Sequence, residues 1–244
     1  MHFGKKINYL AEVDSTNNEA GRHMDSAIEG SVWVSSNQTK GRGQQHNSWE
    51  SEPGMNLTFS LLLRPVFLRA ESQFLLSKII SLGVSDFLIA KGLPATIKWP
   101  NDIYVGDKKI TGILIENHIL GEYISISIAG IGININQEVF TSNAPNPTSF
   151  FIETKRSLNL DASLKEVLRH IEKRYTDLAD GRASTINIDY LNRLYRFNEW
   201  RYYIHNGRKI RAKIIGIHDT GELSLTNEIG DFFSVAFKEI AFCL

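Results

Sequence analysis

From Ala95 to Asn136 the chain is an almost unbroken run of β-forming text, TIKW, IYV, KITGILIEN and EYISISIAGIGININ, broken only at Pro100 to Asp102, at Gly106-Asp107 and at Gly121. Gly-Asp between two such runs is a hairpin signal, so these strands must pair with near neighbours and build a sheet for the other elements to cover. In the last run, alternation sets Ile131, Ile133 and Ile135 on one face and Gly130, Gly132, Asn134 and Asn136 on the other. Upstream, Ile7 to Val13, Ser31 to Asn37 and Met55 to Arg64 read as further strands, and the cap-type residues Asp14 to Asn17 open a short polar helix through about Ala27. From about Ala70 to Lys91 the rows Leu75, Ile79, Leu82 and Leu76, Ile80, Gly83, Phe87 form the broad stripe of a buried helix. Ser163 with Glu166 three residues on predicts a capping box, opening a helix with apolar positions from Leu164 to Leu178, and a second helix follows around Ile188 to Phe197. From Trp200 onward short strands alternate with Asn-Gly, Asp-Thr-Gly and Ile-Gly-Asp turns, the pattern of a small barrel. The expected class is α+β: a mixed β-sheet domain packed with helices over residues 1–198, then a small β-barrel over 199–244.

Charge and cysteine usage narrow the function. Lys plus Arg and Asp plus Glu each number 27, so the chain lacks the basic excess that binding to phosphate backbones demands, and no nucleic-acid partner is expected. One cysteine, Cys243, permits neither an intrachain disulfide nor a CxxC pair and fits a reducing compartment. The start MHFGKKINYLAEVDS has no secretory apolar core, and Leu57 to Leu63 is far shorter than the roughly 20 residues of a membrane span; a cytoplasmic protein without a membrane partner is expected. The histidines show no metal-ligand spacing, no metal ligand is assigned, and P-loop, HExxH and GxSxG patterns are missing.

Three segments carry residues that packing does not require. In Gln38-Thr39-Lys40-Gly41-Arg42-Gly43-Gln44, two glycines let backbone N–H groups converge on an anion beside a guanidinium; a surface glycine loop with a solvated arginine has the same text. Lys98-Trp99-Pro100-Asn101-Asp102 sets a lysine at a strand end before a turn, and a plain β-turn reads the same. Gly130 to Asn136 offers bare backbone followed by amides on one face, where a ligand can approach; a strand with a glycine bulge is the alternative.

Taken in order, these segments resemble the biotin-protein ligases. Ser15-Thr16-Asn17 resembles that family's Ser-Thr-Asn element. Gln38-Thr39-x-Gly41-Arg42-Gly43 resembles its adenylate loop, with Trp49 at the loop's terminal tryptophan. Lys98-Trp99-Pro100-Asn101-Asp102, Lys109-x-x-Gly112-Ile113-Leu114-x-Glu116 and Gly130-x-Gly132-x-Asn134 complete the set. The chain departs from the common GRGRxGRxW form, having Gln44 and Asn47 for two arginines and His46 for a glycine, which removes positive charge from the loop. The first motif begins at Ser15, so the expected form has no DNA-binding head.

The resemblance implies a mixed-sheet catalytic domain with an SH3-like C-terminal barrel, ATP and Mg²⁺ as cofactors, and biotin as substrate. It also implies two steps: formation of biotinyl-5′-AMP, then transfer to a lysine of a biotin carboxyl carrier domain. Lys98 and Arg42 are the expected catalytic residues. Ser15, Thr16, Asn17, Gln38, Gly41, Arg42, Gly43, Gln44, Lys98, Gly112, Gly130 and Gly132 would hold biotin. Trp49, Lys98, Asn101 and Asn134 would hold ATP. The loop from Gln38 to Gly54 is expected to close over the intermediate. A homodimer is a further expectation. The competing readings are a lipoate-protein ligase and a biotin-sensing binding module.

Overall fold

A computed structural model describes residues 3–43, 49–141 and 146–243. Seven strands form the first sheet: β1 (Ile7–Val13), β2 (Val32–Gln38), β3 (Leu57–Leu63), β4 (Ala95–Lys98), β5 (Asp102–Val105), β6 (Lys108–Leu120) and β7 (Tyr123–Ile133). Their order is β1-β2-β3-β7-β6-β5-β4, with β1 and β2 parallel and every other pair antiparallel. The β4 to β7 meander follows the run of β text, and β3, apolar but for Thr58 and Ser60, is buried on both faces at the centre.

Parity along β3 and β7 divides the two faces. Phe59, Leu61, Ala129 and Ile131 point into the main core, where α2 (Phe74–Ala90) lies against the sheet under α4 (Leu160–Ala179) and α5 (Ala183–Arg193). Leu62 and Ile128 point the other way and, with Trp33, Ala20 and Ala27, make a small second core under α1 (Thr16–His23). The segment Ala70–Ala90 is long and apolar enough to cross a membrane, yet 67% of it is buried inside this fold. At Gly83 the crossing of α2 and α4 is so close that a Cβ would lie 2.7 Å from Ile171 Cα. Asp86 pins the same helices, accepting Arg174 Nε at 2.7 Å and Arg193 Nη1 at 2.9 Å.

Several helix boundaries differ from the sequence reading. α4 starts at Leu160 because Asn159 caps it, its side chain accepting from Ala162 N at 2.9 Å; Ser163 lies inside the first turn and bonds back to Asn159 O at 2.8 Å. Glu166 is no capping partner, since it pairs with Lys91 at 2.5 Å. α5 runs from Ala183, earlier than Ile188, and ends at Arg193, where Leu194 turns extended and bridges Ile97. α1 ends at His23 rather than near Ala27, and the short α3 (Phe150–Thr154), capped by Ser149, has no counterpart in the sequence reading.

Strands β8 (Trp200–His205), β9 (Arg208–Ile217), β10 (Leu223–Asn227), β11 (Phe232–Val235) and β12 (Ile240–Phe242) form a second, antiparallel sheet in the order β11-β10-β9-β8-β12. Its inner residues, among them Tyr203, Ile214 and Leu225, join the main core. Trp99 Nε1, just after β4, donates to Gly221 O at 2.8 Å, fastening this sheet to the first, and Arg196 Nη1, in the segment after α5, donates to Cys243 O at 2.6 Å.

Candidate active site

Beyond the edge of the α1 core, on the same face of the sheet, the side chains become small. The register sets Thr58, Gly132 and Gly112 in one row across β3, β7 and β6, and Ser60, Gly130 and Leu114 in the next. These rows floor a cavity of about 140 Å³ whose walls include Ser15, Thr16 and Asn17 at the start of α1, Gln38 at the end of β2, Arg42, Gly43 and Trp49, and Asp102 and Lys109.

One wall is a hydrogen-bonded cluster. Gln38 Oε1 accepts Thr16 N at 2.7 Å and Thr16 Oγ1 at 3.1 Å, and the Ser60 hydroxyl lies 2.8 Å from Thr16 Oγ1 and 2.6 Å from Asn17 Oδ1. Asn17 explains Gly130, because a Cβ there would come within 2.3 Å of Asn17 Oδ1. Asn17 Nδ2 and Arg42 Nη2 both donate to Glu116, at 2.7 and 2.5 Å, and Arg42 Nη1 donates to Asn18 Oδ1 at 2.5 Å. Glu116 therefore ties the glycine loop to α1.

Trp49 covers the other row. Cβ atoms at Gly112 and Gly132 would approach its ring to 2.9 and 2.2 Å, so the indole lies flat on the platform these paired glycines leave bare. Trp49 Nε1 and Thr58 Oγ1 are buried on the cavity with no hydrogen-bond partner, which marks a site built to receive polar atoms. Gly41 does not line the cavity. It closes the loop, its O accepting Trp49 N at 3.1 Å, and a Cβ there would stand 2.6 Å from Trp49 O.

Lys98, the expected catalytic lysine, stands apart from the other motif residues. Lys98 is not among the lining residues; it stands on β4, the sheet edge, two strands out from β6. Its Nζ reaches Tyr104 Oη at 3.2 Å and sits over the Tyr104 and Phe242 rings at 5.0 and 5.1 Å, where burial, with Lys109 and Arg196, lowers its pKa despite Asp102. Lys109, from the motif around Gly112, lines the cavity instead and is paired with Asp102 at 2.8 Å. Asn101 is likewise off the cavity; buried, it donates to Ile113 O at 2.7 Å. Asn134 donates to Thr148 O at 2.9 Å, and its buried Oδ1 has no partner. Gln44 lies outside the described residues, with the part of the loop expected to close. Thr58 and Asp102 were not singled out as site residues; only strand register brings Thr58 beside Gly132.

Among the described residues no group of three or more His, Cys, Asp or Glu could hold a metal, and Asp102, the one carboxylate of the lining, is engaged by Lys109. These residues supply no cage for Mg²⁺. What they supply is two cations, a cluster of neutral donors and acceptors, and a flat bare floor.

Residues 9–134 match the model of the biotin/lipoate A/B protein ligase family. The chain is 30% identical to the bifunctional ligase/repressor BirA of Bacillus spizizenii over 93% of this chain and 71% of that protein. It is 36% identical to the biotin–[acetyl-CoA-carboxylase] ligase of Paracoccus denitrificans over 52% of this chain and 53% of that protein. Among solved structures, the biotin protein ligase of Aquifex aeolicus in complex with biotin and ATP is similar with a TM-score of 0.81 and 27% identity, covering 98% of this chain and 99% of that one. The chain belongs to the biotin/lipoate A/B protein ligase family.

Proposed function

We propose that this chain is an ATP-dependent biotin-protein ligase of the cytoplasm that forms biotinyl-5′-AMP and transfers the biotinyl group to a lysine of a biotin carboxyl carrier domain. In the first step a biotin carboxylate oxygen bonds to the α-phosphorus and pyrophosphate leaves. In the second the acceptor amine bonds to the acyl carbon, the bond from that carbon to the phosphate oxygen breaks, AMP leaves with the electron pair, and the amine gives up a proton. Neither step needs an enzyme nucleophile. The first needs two anionic groups held together and the second needs the charge of the departing AMP stabilised, so the observation that carries the reading is the convergence of Arg42 and Lys109 on one small cavity. Lys109, paired with Asp102, is the lysine of the lining and bridges carboxylate and phosphate in this reading, whereas the resemblance implies Lys98 as the catalytic lysine.

Biotin fits this wall better than lipoate. A ureido ring needs several hydrogen-bond partners, and Ser15, Thr16, Asn17, Gln38 and Thr58 offer them; a dithiolane ring would leave Thr58 Oγ1 without a partner. Asn134 Oδ1 is a free acceptor for the amino group of adenine. Trp49 must leave the Gly112–Gly132 platform for ligand to occupy it, since about 140 Å³ is below the 300 Å³ or so at which small-molecule pockets begin; its ring is then available to stack on the base. Biotin-dependent ATP–pyrophosphate exchange, followed by transfer of labelled biotin to a purified carrier domain, tests the reading. Exchange driven by lipoate and not by biotin would replace it with the lipoate alternative.

A further inference from the structure

Where the two sheets meet there is a second, larger cavity of about 530 Å³, and Phe237 lines both it and the first. Its aromatic walls are Phe74, Trp99 and Phe237. They are firmly set: Trp99 donates to Gly221 O at 2.8 Å, its ring meets Phe237 edge to face at 6.0 Å, and Gly221, at φ +100°, presses so close to Phe74 that a Cβ would lie 2.7 Å from the ring. The charge of the two cavities is opposite. The first carries Arg42 and Lys109 against the single Asp102, while among the described residues the only charged side chain lining the second is Glu222. Lys78, whose Nζ lies 5.3 Å from the Phe74 ring, is drawn away to Asn187 at 2.7 Å and is not part of the lining. Lys238 Nζ lies over the Phe237 ring at 6.0 Å and is likewise outside the lining.

A cleft lined by a carboxylate and three aromatic walls is unsuited to a triphosphate and suited to an alkylammonium, whose stem packs on rings and whose charge is drawn by their faces and by the acid. We propose that this junction cleft is the approach path and docking site of the acceptor lysine. The lysine-bearing turn of the carrier domain seats between the sheets, with Glu222 at the rim drawing the ammonium inward and Phe237 marking the passage to the acyl-adenylate. The inference rests on the ligase reading above and names where its protein substrate binds.

The test uses the whole enzyme with Glu222→Gln, Glu222→Lys and the double variant Thr220→Lys/Glu222→Lys, reading biotin-dependent pyrophosphate exchange, transfer to the carrier domain, and release of the biotinyl group to hydroxylamine as a small amine. Exchange and hydroxylamine release are expected within about twofold of wild type, which also reports folding, while the KM for carrier rises about tenfold in the double variant and less in Glu222→Gln, with kcat at saturating carrier retained. An unmoved carrier KM with intact exchange overturns the proposal alone. Loss of exchange with an unmoved carrier KM overturns it too, and assigns the cleft to the nucleotide. A wild-type enzyme without biotin-dependent exchange overturns the ligase reading as well.

Discussion

Lys98 and Lys109 both end close to Asp102, yet only one faces the cavity. Lys109→Met should lower pyrophosphate exchange at least about a hundredfold, the scale of removing one preorganised charge-stabilising donor, whereas Lys98→Met should stay within about threefold of wild type because its ammonium contacts Tyr104 and Phe242 rather than the reacting groups. Trp49 gives a second contrast. Its indole lies against two glycines, so biotin should shift the intrinsic tryptophan emission toward the red, and Trp49→Phe should abolish that change while Trp33, Trp99 and Trp200 remain. An emission change that persists in Trp49→Phe would show that the indole stays where it is. The motifs around these residues were legible in the sequence. Which lysine lines the cavity was not, because it depends on how many strands separate each from the floor.

At the level of elements, the packing of α2 against α4 and α5 sets the back of the sheet that carries the site. Gly83→Ala would press a methyl group within 2.7 to 2.9 Å of the Ile171 backbone, and the crossing must open; a loss of about 1–3 kcal/mol is expected in chemical denaturation. Asp86 holds the same helices. Burial raises its pKa, but hydrogen bonds and charge from Arg174 and Arg193 outweigh that and hold it below the ordinary 3.8. The folded state therefore favours the ionised form. This stability is present above 3.8 and is lost as pH falls below that value toward the folded pKa. Asp86→Asn should cost about 2–3 kcal/mol at neutral pH, with the gap to wild type closing in acid; a gap independent of pH would contradict the assignment. Periodicity was sufficient to find α2. It missed the start of α4, since Asn159 and Ser163 are both competent caps and only tertiary packing selects between them.

For the whole molecule, one apolar cluster runs through both sheets, so the second sheet is part of the core and supplies Phe237 and Phe242 to the surroundings of the site. The sequence by itself determined the meander, the buried central strand, the change to short strands at Trp200, and the glycine, lysine and amide motifs in their order, all of which depend on local propensity and period. Tertiary structure alone decided that Thr58 stands beside Gly132, that Asn17 and Trp49 occupy the space left by Gly130, Gly132 and Gly112, that Lys109 faces the cavity, and that an acidic, aromatic cleft opens where the sheets meet. The reason is register: these contacts join residues tens of positions apart, and a strand's alternation says which residues share a face without saying which strand lies next to it.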